Sequence, residues 1–233
     1  GKSTLHQFYK ATCMVMRDIL AEHWLNYHDI VHSHKNKQVI YLSMEFLPGA
    51  SLKNHLFNFR LEDVFKGALA NFGHKIDDLY EIDPDAGLGN GGLGRLASCY
   101  LDALASAGMS GHGMSILYEY GIFKQKIENG QQVEIADDWL ENGDVWLLEK
   151  EDETKQIHFG GELHEYWENG RIKFQHTNYT TVLAVPYDFL ISGYDSDVVN
   201  SLRLFKSKSP TKIDMSLFAQ GKYIKAMEEQ HLA

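Results

Sequence analysis

The stretch DPDAGLGNGGLGRLASCYLDALASAG, residues 83–108, constrains the fold more than any other part of the chain, because it places five glycines within eight positions directly before a helix-forming run. Glycine lets the backbone approach a ligand closely and lets successive N–H groups converge. A helix that begins near Gly91 leaves its first N–H groups free at the positive end of its dipole. The stretch therefore predicts an anion site, with tight helix packing at Gly92 and Gly94 as the alternative.

The helix itself is predicted from apolar positions that recur with a period of about 3.6 residues, and Gly108 is expected to end it. Its expected buried stripe comprises Leu93, Leu96, Ala97, Tyr100, Leu101 and Leu104.

The glycines at 87–92 also satisfy the G-x-G-x-x-G pattern of dinucleotide-binding proteins. That fingerprint requires a buried strand before the glycines and an acidic residue about 20 residues later, at the end of the next strand. Here the preceding residues are YEIDPDA, and a helix occupies the place of the second strand. Residues 89–95 also lack the Lys-Ser/Thr ending of a P-loop. A dinucleotide-dependent oxidoreductase is therefore disfavoured.

The rest of the chain predicts one α/β domain that becomes β-rich after residue 110. We expect a helix over 5–27, a polar connector, a strand over 38–46 covered on both faces, and helical segments over 51–73 and near 75–82. Asn129-Gly130 and Asn169-Gly170 each predict a β-hairpin with a type I′ turn. Residues 179–191 and 197–208 are expected to form strands, and the last part of the chain a helix.

Composition excludes several partners. The net charge of −10 argues against nucleic acid, and no run of about 18 apolar residues predicts a membrane span. The cysteines Cys13 and Cys99 are expected to be small core residues in a reducing compartment, which indicates the cytoplasm. The histidines are scattered without zinc-site spacing, so no metal is expected.

Six segments then stand in a distinctive order: YLSMEFLPG (41–49), DAGLGNGGLGRLASCYLDALA (85–105), YEYGIFKQKI (118–127), ADDWL (136–140), VPYD (185–188) and VVNSLRLF (198–205). Together they resemble the N-terminal part of the α-1,4-glucan phosphorylases, which are the glycogen, starch and maltodextrin phosphorylases, and the resemblance indicates a bacterial member.

The resemblance implies a GT-B glycosyltransferase fold, of which this chain is part of the Rossmann-like N-terminal domain. It implies reversible phosphorolysis, in which orthophosphate cleaves the terminal glucosyl unit of an α-1,4-glucan and glucose 1-phosphate leaves with its configuration retained. Pyridoxal phosphate, held by a lysine of the C-terminal domain, is the implied cofactor and acts through its phosphate. A homodimer is also implied. The N-terminal segment is too short for the phosphorylation and nucleotide-activation elements of animal enzymes.

Carried over residue by residue, the resemblance places the backbone N–H groups of Gly91 and Gly92 toward the phosphates and that of Leu93 toward the glucosyl unit. Asn90 would shape the loop. Glu45 would orient cationic partners from the other domain, or serve as a buried, paired structural carboxylate. Tyr118 and Tyr120 are expected in the core or in the cleft wall, and Trp139 in packing, with Asp137 and Asp138 capping or pairing.

Three departures from the family pattern put activity in doubt: Ala50 and Leu117 stand where the family has arginine, and ENGDVW (141–146) replaces a segment close to RYGNPW. The domain over 1–233 is expected to be incomplete, since the C-terminal cofactor-binding domain is absent. The chain alone is therefore predicted to be inactive. A non-catalytic carbohydrate-binding or assembly module on the same scaffold is the alternative function.

Overall fold

The computed structural model describes residues 3–141, 145–211, 215–225 and 227. Residues 142–144 of the divergent segment lie outside the described residues, and so does the end of the chain after residue 227. Residues 223–225 and 227 are helical, in agreement with the helix expected in the last part of the chain.

Six α-helices have both of their bounds within this described part. They are α1 (Leu5–His34), α2 (Ser51–Asn58), α3 (Glu62–Ala70), α4 (Ile76–Tyr80), α5 (Gly92–Ser106) and α6 (Met215–Ala219), with a short 3₁₀ helix at Glu151–Glu153.

The first helix is longer than predicted. Thr4 and Gln7 form a capping box at its start, in which each side chain accepts a hydrogen bond from the other residue's backbone N–H. The helix continues through the expected polar connector to His34 and ends where Lys35 adopts a left-handed conformation. The prediction that it ends near residue 27 was wrong, because the polar residues of 28–34 continue the helix on the protein surface.

The segment predicted as one helical run over 51–73 forms two helices. Arg60, with φ of 56°, breaks the run between α2 and α3. Gly73 adopts φ of 78° beyond the end of α3 and donates its N–H to the carbonyl of Ala70. Glycine is suited to this position because L-residues rarely adopt positive φ.

The described strands are β1 (Val39–Leu42), β2 (Gly111–Ile116), β3 (Gly121–Glu128), β4 (Gln131–Asp137), β5 (Leu147–Glu149), β6 (Lys155–Phe159), β7 (Glu162–Glu168), β8 (Arg171–Thr177), β9 (Thr180–Ser192) and β10 (Val199–Lys208). The main sheet has the order β1-β2-β10-β9-β5, and β6 also pairs with β9. A mixed α/β fold is thereby confirmed.

Both Asn-Gly hairpins are confirmed. Asn129-Gly130 joins β3 to β4 and Asn169-Gly170 joins β7 to β8, each pair antiparallel. All four turn residues have positive φ, which is the requirement of a type I′ turn and the reason that Asn-Gly predicts it well.

The strand predicted over 38–46 differs from the one observed. Only Val39–Leu42 is extended and paired, and it lies at the end of the sheet order with its side chains largely exposed. The expectation of a strand covered on both faces was wrong, because sequence pattern does not distinguish an apolar edge strand from a central one.

The chain divides into two compact units, one comprising Gly1–Leu148 with Tyr187–Leu204 and the other Glu149–Pro186 with Phe205–Ala233. In the first unit, Leu20 of α1, Leu56 of α2 and Leu79 of α4 belong to one buried core with Leu190 and Val199. In the second unit, β6 pairs antiparallel with the first residues of β9, Thr180 to Ala184.

In the first unit, α5 packs on β2 at two glycines. A Cβ placed on Gly111 or Gly113 would come within 2.8 Å of the side chains of Leu104 and Leu101. The N–H of Leu47 donates to the carbonyl of Gly94, which places the amino end of α5 beside the segment that follows β1.

Candidate anion-binding site

The amino end of α5 carries backbone donors that no acceptor uses. Gly91 is the N-cap residue, and no side chain caps the helix locally. Among the described residues, the N–H groups of Gly91, Gly92 and Leu93 donate no hydrogen bond, and all three residues are exposed. The first turn of a helix carries partial positive charge, so these three donors form a surface suited to an anion.

Glu45 takes the two flanking donors. Its Oε2 accepts the N–H of Asn90 at 2.8 Å, and its Oε1 accepts the N–H of Gly94 at 3.1 Å. Glu45 lies in an irregular segment after β1 and is half-buried. The structure therefore places this carboxylate against two backbone amides of the loop and the helix.

The glycines of the loop fall into two groups, distinguished by the space beside each one. A Cβ on Gly87 would come within 2.5 Å of the Trp139 ring, one on Gly89 within 2.8 Å of the Phe46 carbonyl, and one on Gly94 within 3.1 Å of the Glu45 side chain. These three glycines permit close packing.

Gly91 and Gly92 belong to the second group, because a Cβ on either would meet nothing within 4 Å. Neither residue has positive φ. Neither the packing nor the backbone conformation of this chain therefore requires glycine at 91 or 92. The packing alternative holds for Gly94, and it does not account for Gly92.

A groove of about 250 Å³ adjoins Glu45, Gly89 and Asn90, with Tyr118 and Tyr120 on its wall. The Tyr118 hydroxyl donates to the Met44 carbonyl, and the Tyr118 carbonyl accepts from the indole N–H of Trp139. Tyr118 and Tyr120 thus lie on a groove wall, and Trp139 is buried, in agreement with the wall position expected for the tyrosines and the packing expected for Trp139.

The two aspartates that precede Trp139 were expected to cap or pair. Asp137 forms an ion pair with Lys124 at 3.0 Å, and the backbone carbonyl of Asp138 accepts the N–H of Glu141.

A second, larger groove of about 580 Å³ has side chains of both signs of charge on its walls. Lys53, Arg95, Glu62 and Asp85 line it, together with Ala50. Arg95 Nη1 donates to the carbonyls of Leu47 and Pro48, which ties α5 to the turn before α2.

The two positions at which the resemblance implies arginine, Ala50 and Leu117, have different surroundings. Ala50 lines the larger groove and is the N-cap residue of α2, where it provides no side-chain hydrogen bond. Leu117 is buried in the core, 6% exposed. Ala50 thus forms part of a groove wall, whereas Leu117 is an apolar core residue.

The predicted stripe of α5 is only partly buried. Ala97 and Leu101 are buried, and Leu104 is partly so, but Leu93, Leu96 and Tyr100 are 67%, 47% and 47% exposed. The prediction was wrong for these three, because the helical period identifies an apolar face without revealing whether this chain covers it. Cys13 is buried as expected, whereas Cys99 is exposed.

Sequence reasoning missed the buried polar groups beside the site. Asp83 accepts the Tyr9 hydroxyl at 2.6 Å and the N–H of Leu52, in the first turn of α2, at 2.8 Å. Burial raises the pKa of Asp83, and these hydrogen bonds oppose that effect. An Asp before Pro in a polar-looking stretch carries no sequence signal of burial.

A second buried pair joins α2 to β9. His55 Nδ1 lies 2.8 Å from the Ser192 hydroxyl, which also accepts from the Asn58 amide. Burial lowers the pKa of His55 to about 4. The fully buried His55 is therefore neutral at pH 7.

Two negative findings concern the described ranges only. No helix there is long and apolar enough to span a bilayer. No three histidine, cysteine or acidic side chains in those ranges are grouped so that they could hold a metal ion.

Comparison with known proteins gives consistent matches. A family model described as "Carbohydrate phosphorylase" matches residues 69–233. The chain is 43% identical over 200 residues to the glycogen phosphorylase of Bacillus subtilis, covering 86% of this chain and 25% of that protein. It is 40% identical over 232 residues to that of Chlamydia trachomatis, covering 99% and 28%. For the human muscle form, the identity is 40% over 231 residues, covering 99% and 27%. The chain thus spans about a quarter of the length of these relatives.

Proposed function

The chain belongs to the carbohydrate phosphorylase family, and from this premise we propose that its full-length protein is an α-glucan phosphorylase. The proposed reaction is phosphorolysis of the terminal α-1,4-linked glucosyl unit of a glucan by orthophosphate, with glucose 1-phosphate as the product. The relatives named above are all called glycogen phosphorylases, which supports a storage glucan as the substrate.

One observation carries the proposal: Gly91 and Gly92 combine free N–H groups with open space where their side chains would be. Glycine is required there only if something outside this chain must approach the backbone. The positive end of the α5 dipole favours an anionic ligand. Preorganised backbone donors in a water-excluding cleft also stabilise negative charge that develops during a reaction.

The roles of the residues follow from their positions. Gly91 and Gly92 would bind phosphate through their N–H groups, and Leu93 would donate its N–H to the glucosyl unit. Asn90, which precedes the N-cap residue Gly91, would shape the loop. Glu45 is a positioning residue, since it holds the N–H groups of Asn90 and Gly94 and so orients the loop between them.

Pyridoxal phosphate is the proposed cofactor of the full-length protein, where its phosphate supplies a proton-exchanging group beside the substrate phosphate. The residues present here fit one wall of such a site, because α5 offers several exposed donors and no competing side chain. The attachment lysine would come from outside this chain.

The proposed architecture is a GT-B fold in which residues 1–233 form an incomplete, Rossmann-like N-terminal domain. The parallel pairing of β1 with β2 and the α5 helix packed on them are consistent with that domain. We propose a homodimeric protein of the cytoplasm, as the family implies.

Gly92→Ala in the full-length protein tests the site. Because the added methyl meets nothing in the chain, the melting temperature should stay within about 2 °C of wild type, while kcat/KM for phosphorolysis should fall at least about 100-fold. Gly67→Ala in α3, where a Cβ also meets nothing, is the matched control and should leave activity unchanged. Activity of Gly92→Ala within about threefold of wild type would contradict the proposed role.

Two further assays separate the candidate functions. The isolated 233-residue chain should release no glucose 1-phosphate from glycogen and phosphate. A full-length protein that binds glucan and forms no glucose 1-phosphate would favour the non-catalytic module.

A further inference from the structure

The last turns of α1 bring two histidines onto one exposed face. His28 and His32 are four residues apart in HDIVH, and residues four apart on a helix are neighbours on its surface. The polar segment that contains them was expected to be a connector, in which this spacing has no such consequence. Because α1 continues to His34, the two imidazoles lie one above the other on the helix.

The two imidazole rings are close together and nearly parallel. Their centroids lie 6.1 Å apart and their planes differ by 7°. A metal–nitrogen bond of about 2.1 Å places each ring centroid roughly 3 Å from the ion, so two imidazoles that bind one ion have centroids about 5–6 Å apart. Small rotations of the two side chains therefore bring both rings onto a single ion.

Both rings are available to a ligand. His28 and His32 are exposed, and neither ring forms a hydrogen bond with a described residue. Trp24 stacks on His28 with 5.2 Å between the ring centroids, which supports that ring on one side. Asp29 Oδ1 lies 3.9 Å from Nδ1 of His28, and a nearby carboxylate commonly orients the imidazole of a metal-binding histidine.

A second histidine pair has a similar separation, but its rings are already engaged. His158 and His176 have ring centroids 6.0 Å apart, with 58° between their planes. Tyr179 stacks on His158 with 3.7 Å between the ring centroids, and Nε2 of His176 lies 2.6 Å from the carbonyl oxygen of Gly160. These contacts occupy a face of one ring and a nitrogen of the other, so the pair on α1 is the better site.

We propose that His28 and His32 form a two-imidazole site for a divalent transition-metal ion, with water completing the coordination. Imidazole suits Ni²⁺, Cu²⁺ and Zn²⁺, whereas Mg²⁺ and Ca²⁺ prefer oxygen ligands. A pair of ligands on one helix lacks the spacing of a three- or four-ligand zinc site, which is why the sequence did not indicate it. The inference goes beyond the proposed phosphorolysis and does not depend on it.

Calorimetric titration of the full-length protein with Ni²⁺, at about pH 7.5 where imidazole is neutral, tests the proposal. His28→Gln and His32→Gln should each lower the affinity of this site at least about tenfold, because one ligand cannot chelate. The double variant should lose no more than either single variant, since the chelate is already broken. His34→Gln is the matched control and should bind like wild type, because residues two apart do not face each other on a helix.

Three outcomes of the titration would overturn the proposal. They are the absence of Ni²⁺ binding, equal affinities of wild type and the two single variants, and losses that add in the double variant, because additive losses indicate two independent imidazoles. Both side chains are exposed, so the variants should melt at the wild-type temperature without Ni²⁺.

Electron paramagnetic resonance of bound Cu²⁺ gives an independent measurement. The spectrum of this site should show coupling to two imidazole nitrogens in wild type and to one in His32→Gln. The same coupling in wild type and in His32→Gln would contradict a shared ion, whatever the affinities.

Discussion

The carboxylate of Glu45 accepts the N–H of Gly94 at 3.1 Å and thereby caps a helix that begins 47 residues later in the chain. Gly94 is the third residue of α5, the position whose N–H an N-cap side chain ordinarily satisfies. Because the N-cap residue is Gly91, which has no side chain, Glu45 provides this function from a distance. The cap leaves the N–H groups of Gly91, Gly92 and Leu93 available.

Glu45→Ala should destabilise the chain by about 1 kcal/mol, because the N–H groups of Asn90 and Gly94 lose their acceptor. For a protein of this size that corresponds to a fall in melting temperature of roughly 2–4 °C. Glu22→Ala on the exposed surface of α1 is the control and should change the melting temperature little. Equal melting temperatures of Glu45→Ala and wild type would show that the cap is energetically neutral.

Asp83→Ala should be more destabilising, by about 2–4 kcal/mol, because it leaves the buried Tyr9 hydroxyl and the Leu52 amide without an acceptor. Urea unfolding followed by fluorescence measures this loss. Asp85→Ala, two residues away and exposed, should cost little. A loss of stability equal to that of Asp85→Ala would contradict the role of Asp83 as an acceptor for both groups.

His55 should make the chain less stable as the pH falls. Its pKa of about 4 in the folded state lies below the 6.5 of an unfolded histidine, so the unfolded state binds more protons between these values. The stability contributed by the neutral imidazole is present above pH 6.5 and decreases toward pH 4, by about 2 kcal/mol between pH 7 and pH 5.

Urea unfolding of the chain at pH 7, 6 and 5 measures this contribution. His55→Gln should remove it from the pH dependence, whatever its effect on absolute stability, and the exposed His6→Gln should leave the dependence unchanged. An identical pH dependence in His55→Gln and wild type would show that His55 does not titrate as the buried geometry requires.

Asp102, in contrast to His55, should make the chain more stable as the pH falls. Burial raises its pKa to about 6, with Arg95 partly offsetting the effect. Ionised Asp102 therefore costs stability at pH 7, and the cost decreases progressively as the pH falls from about 6 toward 3.8, the ordinary pKa of the unfolded carboxyl. Because the side chain is only partly buried, we expect Asp102→Asn to stabilise the chain by about 1 kcal/mol at pH 7 and not at pH 4.

Thermal unfolding at pH 7 and pH 4 compares this variant with the exposed Asp152→Asn, which should be neutral at both values. A gain from Asp102→Asn that is the same at pH 4 as at pH 7 would exclude the charge as its cause.

Local chemistry explains which parts of the fold could be predicted. Asn129-Gly130 and Asn169-Gly170 specify their turns because few other residues accept two successive positive φ angles. The start of α5 near Gly91 and its end before Gly108 follow likewise from the helical period and from the left-handed conformation that glycine adopts. Each of these features depends on residues adjacent in sequence.

The glycine loop shows where such prediction stops. Sequence alone predicted free N–H groups at the start of α5 and left anion binding and close packing as alternatives. In the structure, close packing accounts for Gly94, which lies against Glu45, and does not account for Gly92, which faces open space. That distinction depends on a neighbour 49 residues earlier, which no local pattern contains.

What the sequence by itself determined is therefore the family, the hairpins, the span of α5 and the glycine-rich loop, because periodicity, turn chemistry and motif order are properties of the chain. Only the tertiary structure decided that Glu45 caps α5, that β1 is an edge strand, and that Leu93, Leu96 and Tyr100 are exposed. These properties depend on which segments, distant from one another in sequence, come into contact in the folded chain. Burial of an apolar side chain is favourable wherever it occurs in the sequence. Only the packed structure shows whether the surface that would bury it belongs to this chain.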